Sequence, residues 1–242
     1  MSKVNNPIEV SFDDFVQGIY RGAPKPVLFW DTCALLDILR LPYRKGTIDS
    51  FRIINQIKDL IQSDQLFSVA SALTIKEWNE HEEKILADTQ KSLELTELFH
   101  STCIAIANDV YTATYISEPI SNKSLVSALE SLAENILSKT FFLKTDDIAN
   151  SALTRISDKL PPASKKNEFK DCAIWETVLK MSGDIYAFDQ HTQQVFFTVN
   201  TEDFFDKGRT PNAFYPKLLT EAAMSNLACC STVLEVKASL NL

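Results

Sequence analysis

Asp31, Glu77, Asp171, Asn200 and Asp203 stand where their surroundings have little use for a polar side chain. Asp31 ends the apolar run Val27-Leu28-Phe29-Trp30, Asn200 ends Val195-Phe196-Phe197-Thr198-Val199, and Asp203 follows three residues on. Glu77 and Asp171 open helical patterns. Carboxylates gathered in one pocket repel and raise each other's pKa unless a cation neutralises them. An oxygen-only donor set suits Mg²⁺ or Mn²⁺, hard ions that keep several waters and are commonly held by one or two carboxylates plus substrate phosphate. Such a site can activate water for in-line displacement at a phosphodiester and stabilise the leaving oxygen.

The elements that would position these residues follow from the apolar patterning. A continuous apolar strand at 27–30 suits a parallel sheet covered on both faces. Leu35, Ile38 and Leu39 recur at helical spacing until Leu41-Pro42, and a second helix carries Phe51, Ile54, Ile57, Leu60 and Ile61. A short strand spans 66–70. Ser71 and Thr74 then introduce a helix with Ile75, Trp78 and Ile85, and Thr74-x-x-Glu77 reads as a capping box, placing Glu77 in the first turn. Residues 83–160 read as successive helices, broken at Ser117-Glu118-Pro119 and near Thr145, with no strand. Beyond Pro161-Pro162 comes a helix with Ile174, Trp175, Val178 and Leu179 on one side and Asp171 in its first turns. Residues 185–188 read as a short strand or loop, 195–199 as a buried strand, 217–228 as a helix with Pro216 in its first turn, and 231–236 as a last strand or helix. This alternation predicts an α/β sandwich around a mostly parallel sheet, one domain over 1–242 with a helical insertion at 83–160. Ligands of such sheets bind beyond the strands' carboxyl ends, where helix N-termini also point, so the acids are expected at one edge.

Composition narrows the chemistry. With 24 Lys+Arg against 32 Asp+Glu the net charge is −8, which excludes the broad basic face of a sequence-independent duplex binder. Any nucleic-acid contact must be local, and Lys165, Lys166 and Lys170, just before Asp171, are the candidates for phosphate. Only 5 Gly in 242 residues argue against Gly-rich phosphate loops. Five Cys, an odd number without C-x-x-C spacing, support neither a disulfide framework nor a zinc knuckle and point to a reducing cytoplasm. No apolar run reaches the roughly 18 residues of a membrane span, and the polar N-terminus has no export signal core. His81 follows Glu77 by four residues, but H-E-x-x-H is absent; Glu80, Glu82 and Glu83 are expected on an exposed helix face. Each acid also has a purely structural reading. Asp31 and Asp203 could cap helices, Glu77 could complete a capping box, and Asp171 could complement a helix dipole.

Four segments in order carry a resemblance: Phe29-Trp30-Asp31-Thr32-Cys33-Ala34-Leu35-Leu36, Thr74-Ile75-Lys76-Glu77-Trp78, Lys170-Asp171-Cys172-Ala173-Ile174-Trp175-Glu176, and Phe197-Thr198-Val199-Asn200-Thr201-Glu202-Asp203-Phe204. Together they resemble a PIN domain, most closely the PIN-like proteins whose third motif reads D-x-x-I-W-E. The resemblance implies a three-layer α/β/α fold with strand order 3-2-1-4-5. It also implies a metal-dependent endoribonuclease cutting single-stranded RNA and leaving a 5′ phosphate. Asp31, Glu77, Asp171 and Asp203 would be the catalytic metal ligands, with Thr32 and Asn200 in support. Many PIN domains carry Asp where Asn200 stands, which opens a second reading: a PIN-like scaffold with weak metal binding that serves as an interaction or regulatory module. An aspartyl phosphatase is disfavoured, because Cys33 occupies the second acid of D-x-D. The resemblance leaves open a restraining regulator or antitoxin and a homo-oligomer as partners.

Overall fold

The computed structural model describes residues 7–44, 47–164, 168–208 and 213–242, the side chains of 121 and 122 excepted. Six parallel strands form the central sheet: β1 (Ile8–Val10), β2 (Val27–Trp30), β3 (Phe67–Ser71), β4 (Thr140–Leu143), β5 (Gln194–Phe197) and, after the small antiparallel ribbon β6 (Phe205–Asp206) and β7 (Ala213–Phe214), β8 (Leu227–Cys230). Their order is β1-β4-β3-β2-β5-β8. Counted from β2 as the first, five of them lie in the order 3-2-1-4-5, and β1 extends the sheet beyond the third.

Alternation along the buried β2 divides the core. Leu28 and Trp30 pack on one face with α1 (Thr32–Leu39), α2 (Ile48–Gln62), the start of α3 (Ala72–Tyr111), α4 (Leu125–Leu137) and α9 (Val233–Leu240). Val27 and Phe29 pack on the other with the segment around Phe15 and Tyr20, α5 (Ala149–Ser157), α6 (Phe169–Phe188) and α8 (Pro216–Ala223). Side chains that alternate between two covered faces make three layers, α/β/α. No helix among the described residues is long and apolar enough to cross a membrane.

Several local expectations need correction. The segment 83–160 contains β4, which pairs with β3 at Ser68↔Thr140 and with β1 at Ile8↔Phe141. Phe141-Phe142-Leu143 lies between Lys139 and Lys144, a run too short to show any period. Residues 185–188 are the last turn of α6. The helix expected at 217–228 stops at Ala223, Asn226 takes a left-handed φ of 53°, and the chain enters β8 at Leu227. The capping box at Thr74 does not form: Ser71 is the N-cap of α3, accepting from the Leu73 N–H at 3.3 Å, and Thr74 is buried. Glu77, the sixth residue of α3, therefore lies in the second turn. No loop separates β3 from α3, because Ser71 ends one and caps the other.

Candidate metal centre

Parallel register sets the site. Trp30 pairs with Ala70 and with Phe197, so the chains leaving β2, β3 and β5 emerge side by side at one edge. Asp31 is the first residue past β2, its N–H still donating to the Phe197 carbonyl at 3.0 Å. It occupies the N-cap position of α1, yet its side chain makes no capping bond. The carboxylate instead accepts from Thr198 Oγ1 at 2.5 Å, with the residue 1% exposed. A solvated cap would not be sealed this way.

The other acids arrive from separate elements. Glu77 Oε2 accepts from Thr32 Oγ1 at 2.6 Å, and Oε1 lies 3.2 Å from Lys170 Nζ. Asp171, in the first turn of α6, accepts from Asn200 Nδ2 at 3.3 Å. Asn200 is the N-cap of the short helix α7 (Thr201–Phe204), its Oδ1 accepting from the N–H of the buried Asp203 at 3.4 Å. Thr198 ties the rim together: it donates to Asp31 and accepts from the Asn200 N–H at 3.0 Å. The sequence reading passed over Thr198. Its one signal is a hydroxyl in an otherwise apolar run, two residues before Asn200.

Two of the four acids, Asp31 and Asp171, are shifted upward in pKa. Burial pushes Asp171 up to about 8, with Asp31, Asp203 and Glu77 adding repulsion. Burial likewise raises Asp31 to about 6, the Thr198 hydrogen bond opposing and Glu77 adding to the rise. The Cys33 thiol is held protonated by burial and by Asp31, Asp171 and Glu77. Among the described residues, Lys170 is the one cationic side chain in an ion pair with any of the four acids. It also lies 3.2 Å from Glu80 Oε2. Lys170 thus sits on carboxylates at the rim, while Lys165 and Lys166 lie outside the described residues.

The donor set fits a hard divalent ion: four carboxylates, hydroxyls that orient two of them, and two acids, Asp31 and Asp171, whose pKa burial raises first and neighbouring charge raises further. The four acids are spread more widely than one inner coordination shell. Among the described residues, the group of three acids with ligand oxygens all within 4.8 Å of one another is Glu82, Glu130 and Glu134, elsewhere on α3 and α4. Wider spacing suits Mg²⁺ or Mn²⁺, which usually take one or two carboxylates directly and keep several waters.

The rest of the segment around Asp171 anchors α6. Trp175 Nε1 donates to Glu221 Oε2 at 2.9 Å. Glu176 Oε1 accepts from Arg155 Nε at 2.7 Å, and Arg155 Nη2 reaches Glu221 at 3.0 Å. The buried Arg155 thereby joins α5, α6 and α8 behind the acid pocket.

Comparison with curated proteins and with solved structures finds no match. A family model described as PIN domain does match, over residues 28–204, a span that takes in Asp31, Glu77, Asp171 and Asp203. Members of that family are usually metal-dependent nucleases and typically bind divalent metals. With the match covering most of the chain, and the sheet order in agreement, the chain belongs to the PIN domain family.

Proposed function

We propose that the chain is an endoribonuclease that hydrolyses phosphodiester bonds of single-stranded RNA with Mg²⁺ or Mn²⁺. The observation that carries this reading is the convergence of buried Asp31 and Asp171 with Glu77 and Asp203, each raising the charge burden of its neighbours. A divalent ion bound there supplies a positive centre that makes water acidic enough to act as nucleophile and stabilises the leaving oxygen. Asp31 and Asp171 would hold the principal ion, with Glu77 and Asp203 completing the cage and orienting water. Thr198 and Thr32 fix the carboxylates of Asp31 and Glu77 before substrate arrives, limiting the reorganisation that catalysis requires. Lys170 is near enough to exchange Glu77 for a phosphate oxygen.

A largely apolar cavity of about 480 Å³ adjoins the edge, lined by Ala34, Ile38, Phe197, Val199 and Thr232 among others. Its walls hold none of the four acids, and in this reading it would receive a base rather than the cleaved phosphate. All five cysteines are free, consistent with a cytoplasmic setting.

The test is incubation of the purified chain with labelled single-stranded RNA and Mn²⁺, beside Asp31→Asn and Asp171→Asn. Both substitutions are expected to abolish cleavage; cleavage that persists equally in both overturns the assignment. The alternative, a weakly metal-binding scaffold acting as an interaction or regulatory module, draws support from Asn200, whose amide nitrogen faces Asp171 where a further acid would face an ion. It predicts that Asp31→Asn and Asp171→Asn leave the heat of Mn²⁺ binding unchanged.

A further inference from the structure

The outer half of α3 carries a bare apolar stripe. At about 100° per residue, Leu95, Leu98, Phe99, Ile106 and Val110 fall within an arc of roughly 120° on one side of the helix, with Thr102 among them and Cys103 at the margin. The five large side chains are 59% to 73% exposed, and Cys103 is exposed as well. The opposite side is taken by the chain's own return. Leu93, Ile104 and Asn108 are half-buried there. The Asn108 side chain exchanges hydrogen bonds of 2.8 and 3.0 Å with the Tyr115 backbone, and the 3₁₀ turn Ile120–Lys123 lies against α3. The return therefore covers one face of the helix and leaves the more apolar one to solvent.

Two charges mark the ends of the stripe. Lys91 stands one turn before Leu95 and Asp109 beside Val110, both exposed. Eighteen residues, or about five whole turns, separate them, so they lie on the same flank of the stripe. A second copy laid antiparallel, with the two-fold axis near His100, sets Lys91 against the partner's Asp109 at both ends. The same register puts Leu95 beside the partner's Ile106 and Phe99 beside the partner's Thr102, a large side chain facing a smaller one at the centre. A parallel pair would oppose lysine to lysine and aspartate to aspartate. The five apolar side chains bare on the order of 500 Å² per chain, enough to mark an interaction surface. Two such faces with their flanks cover roughly 1,200 Å², where specific interfaces begin.

We propose that this stripe is a self-association surface, through which two copies of the chain pair by their α3 arms, antiparallel, as an isologous dimer. The same patch serves both chains, so assembly closes at two. Glu77 lies eighteen residues, about 27 Å, before Leu95 along the helix, which keeps the acids of the sheet edge outside the contact.

The experiment is sedimentation equilibrium of the full chain. At about 100 μM, above the micromolar Kd that such an area supports, the parent is expected to give the mass of two chains. Leu98→Glu with Phe99→Glu is expected to give the mass of one. Neither side chain is packed within its own chain, so the circular dichroism of this variant should match the parent, which separates lost pairing from lost folding. Lys91→Glu and Asp109→Lys alone are each expected to weaken the dimer about fivefold, the effect of two opposed surface charge pairs, and together to restore the parent Kd. A monomeric parent overturns the proposal and leaves the stripe to a different protein. A dimer that survives Leu98→Glu with Phe99→Glu, or a charge-swapped double variant no tighter than the single ones, overturns it as well.

Discussion

Thr198 Oγ1 donates to Asp31 Oδ2 at 2.5 Å, joining two residues 167 positions apart in the sequence. The bond holds Asp31 in one rotamer and lowers a pKa that burial raises. Thr198→Val keeps the shape and removes the donor. We expect the Asp31 pKa to climb above its present value of about 6, and Mn²⁺ affinity near neutral pH to fall about tenfold, the worth of one hydrogen bond to a charged group. Calorimetric titrations across pH would show the loss shrinking as pH rises.

Asp171 makes the metal-free protein sensitive to alkali. In the folded chain its carboxyl keeps a proton up to about pH 8, whereas the ordinary value is 3.8. Between those limits the folded state binds more protons than the unfolded state, so stability falls as pH rises through the window and levels off above it. Asp31 contributes in the same direction up to about pH 6. Asp171→Asn is therefore expected to raise the metal-free melting temperature at pH 8.5 by about 5 °C, from a gain on the order of 2 kcal/mol. Near pH 4 the gain should vanish. Mn²⁺ should stabilise the parent chain at pH 8.5 and the variant much less.

Asn200 serves two neighbours, donating to Asp171 and capping α7. Asn200→Asp retains the cap, since Asp is as good an N-cap, but replaces a donor with a like charge. The expected outcome is a metal-free chain less stable by about 1 kcal/mol at pH 8 and a tighter Mn²⁺ complex, read from thermal melts with and without ion.

Arg155 is 4% exposed and binds Glu176 and Glu221 at 2.7 and 3.0 Å. Removing it leaves the largely buried Glu176 without its cation, while Glu221 keeps the Trp175 indole N–H and Lys217 at 3.5 Å. Arg155→Ala is expected to cost about 3–5 kcal/mol, measured by urea unfolding. Arg155→Lys should recover only part, because a single ammonium cannot reproduce the guanidinium fork.

The strands β2, β3 and β5 were legible because their apolar runs are bounded by abrupt polar residues, and the helices α1, α2 and α6 because their apolar spacing is regular. Strand β4 was not, since three apolar residues fix no period and only pairing to β3 and β1 makes them a strand. Strand β8 is similar: Leu227-Ala-Cys-Cys has little β-branching and joined the preceding helical pattern until Asn226 turned the chain. Among the proposed site residues, Asp31 stood out by its charge at the end of an apolar run, and Glu77, Asp171 and Asp203 by their order along the chain relative to the strands and helices. The burial of Glu82 was not legible, because flanking Glu80 and Glu83 disguised it as solvated and α4, whose placement the sequence does not disclose, packs beside it.

The loopless passage from β3 into α3 has a mechanical consequence. Ser71 belongs to both, and the 40 residues of α3 extend about 60 Å. The outer half, with Leu95, Leu98 and Phe99 largely exposed, is the long arm of a lever whose short arm bears Glu77. With no slack at the fulcrum, sideways force at the tip is felt as torque on a carboxylate at the sheet edge, and shortening the rod would change its leverage while leaving the fulcrum in place.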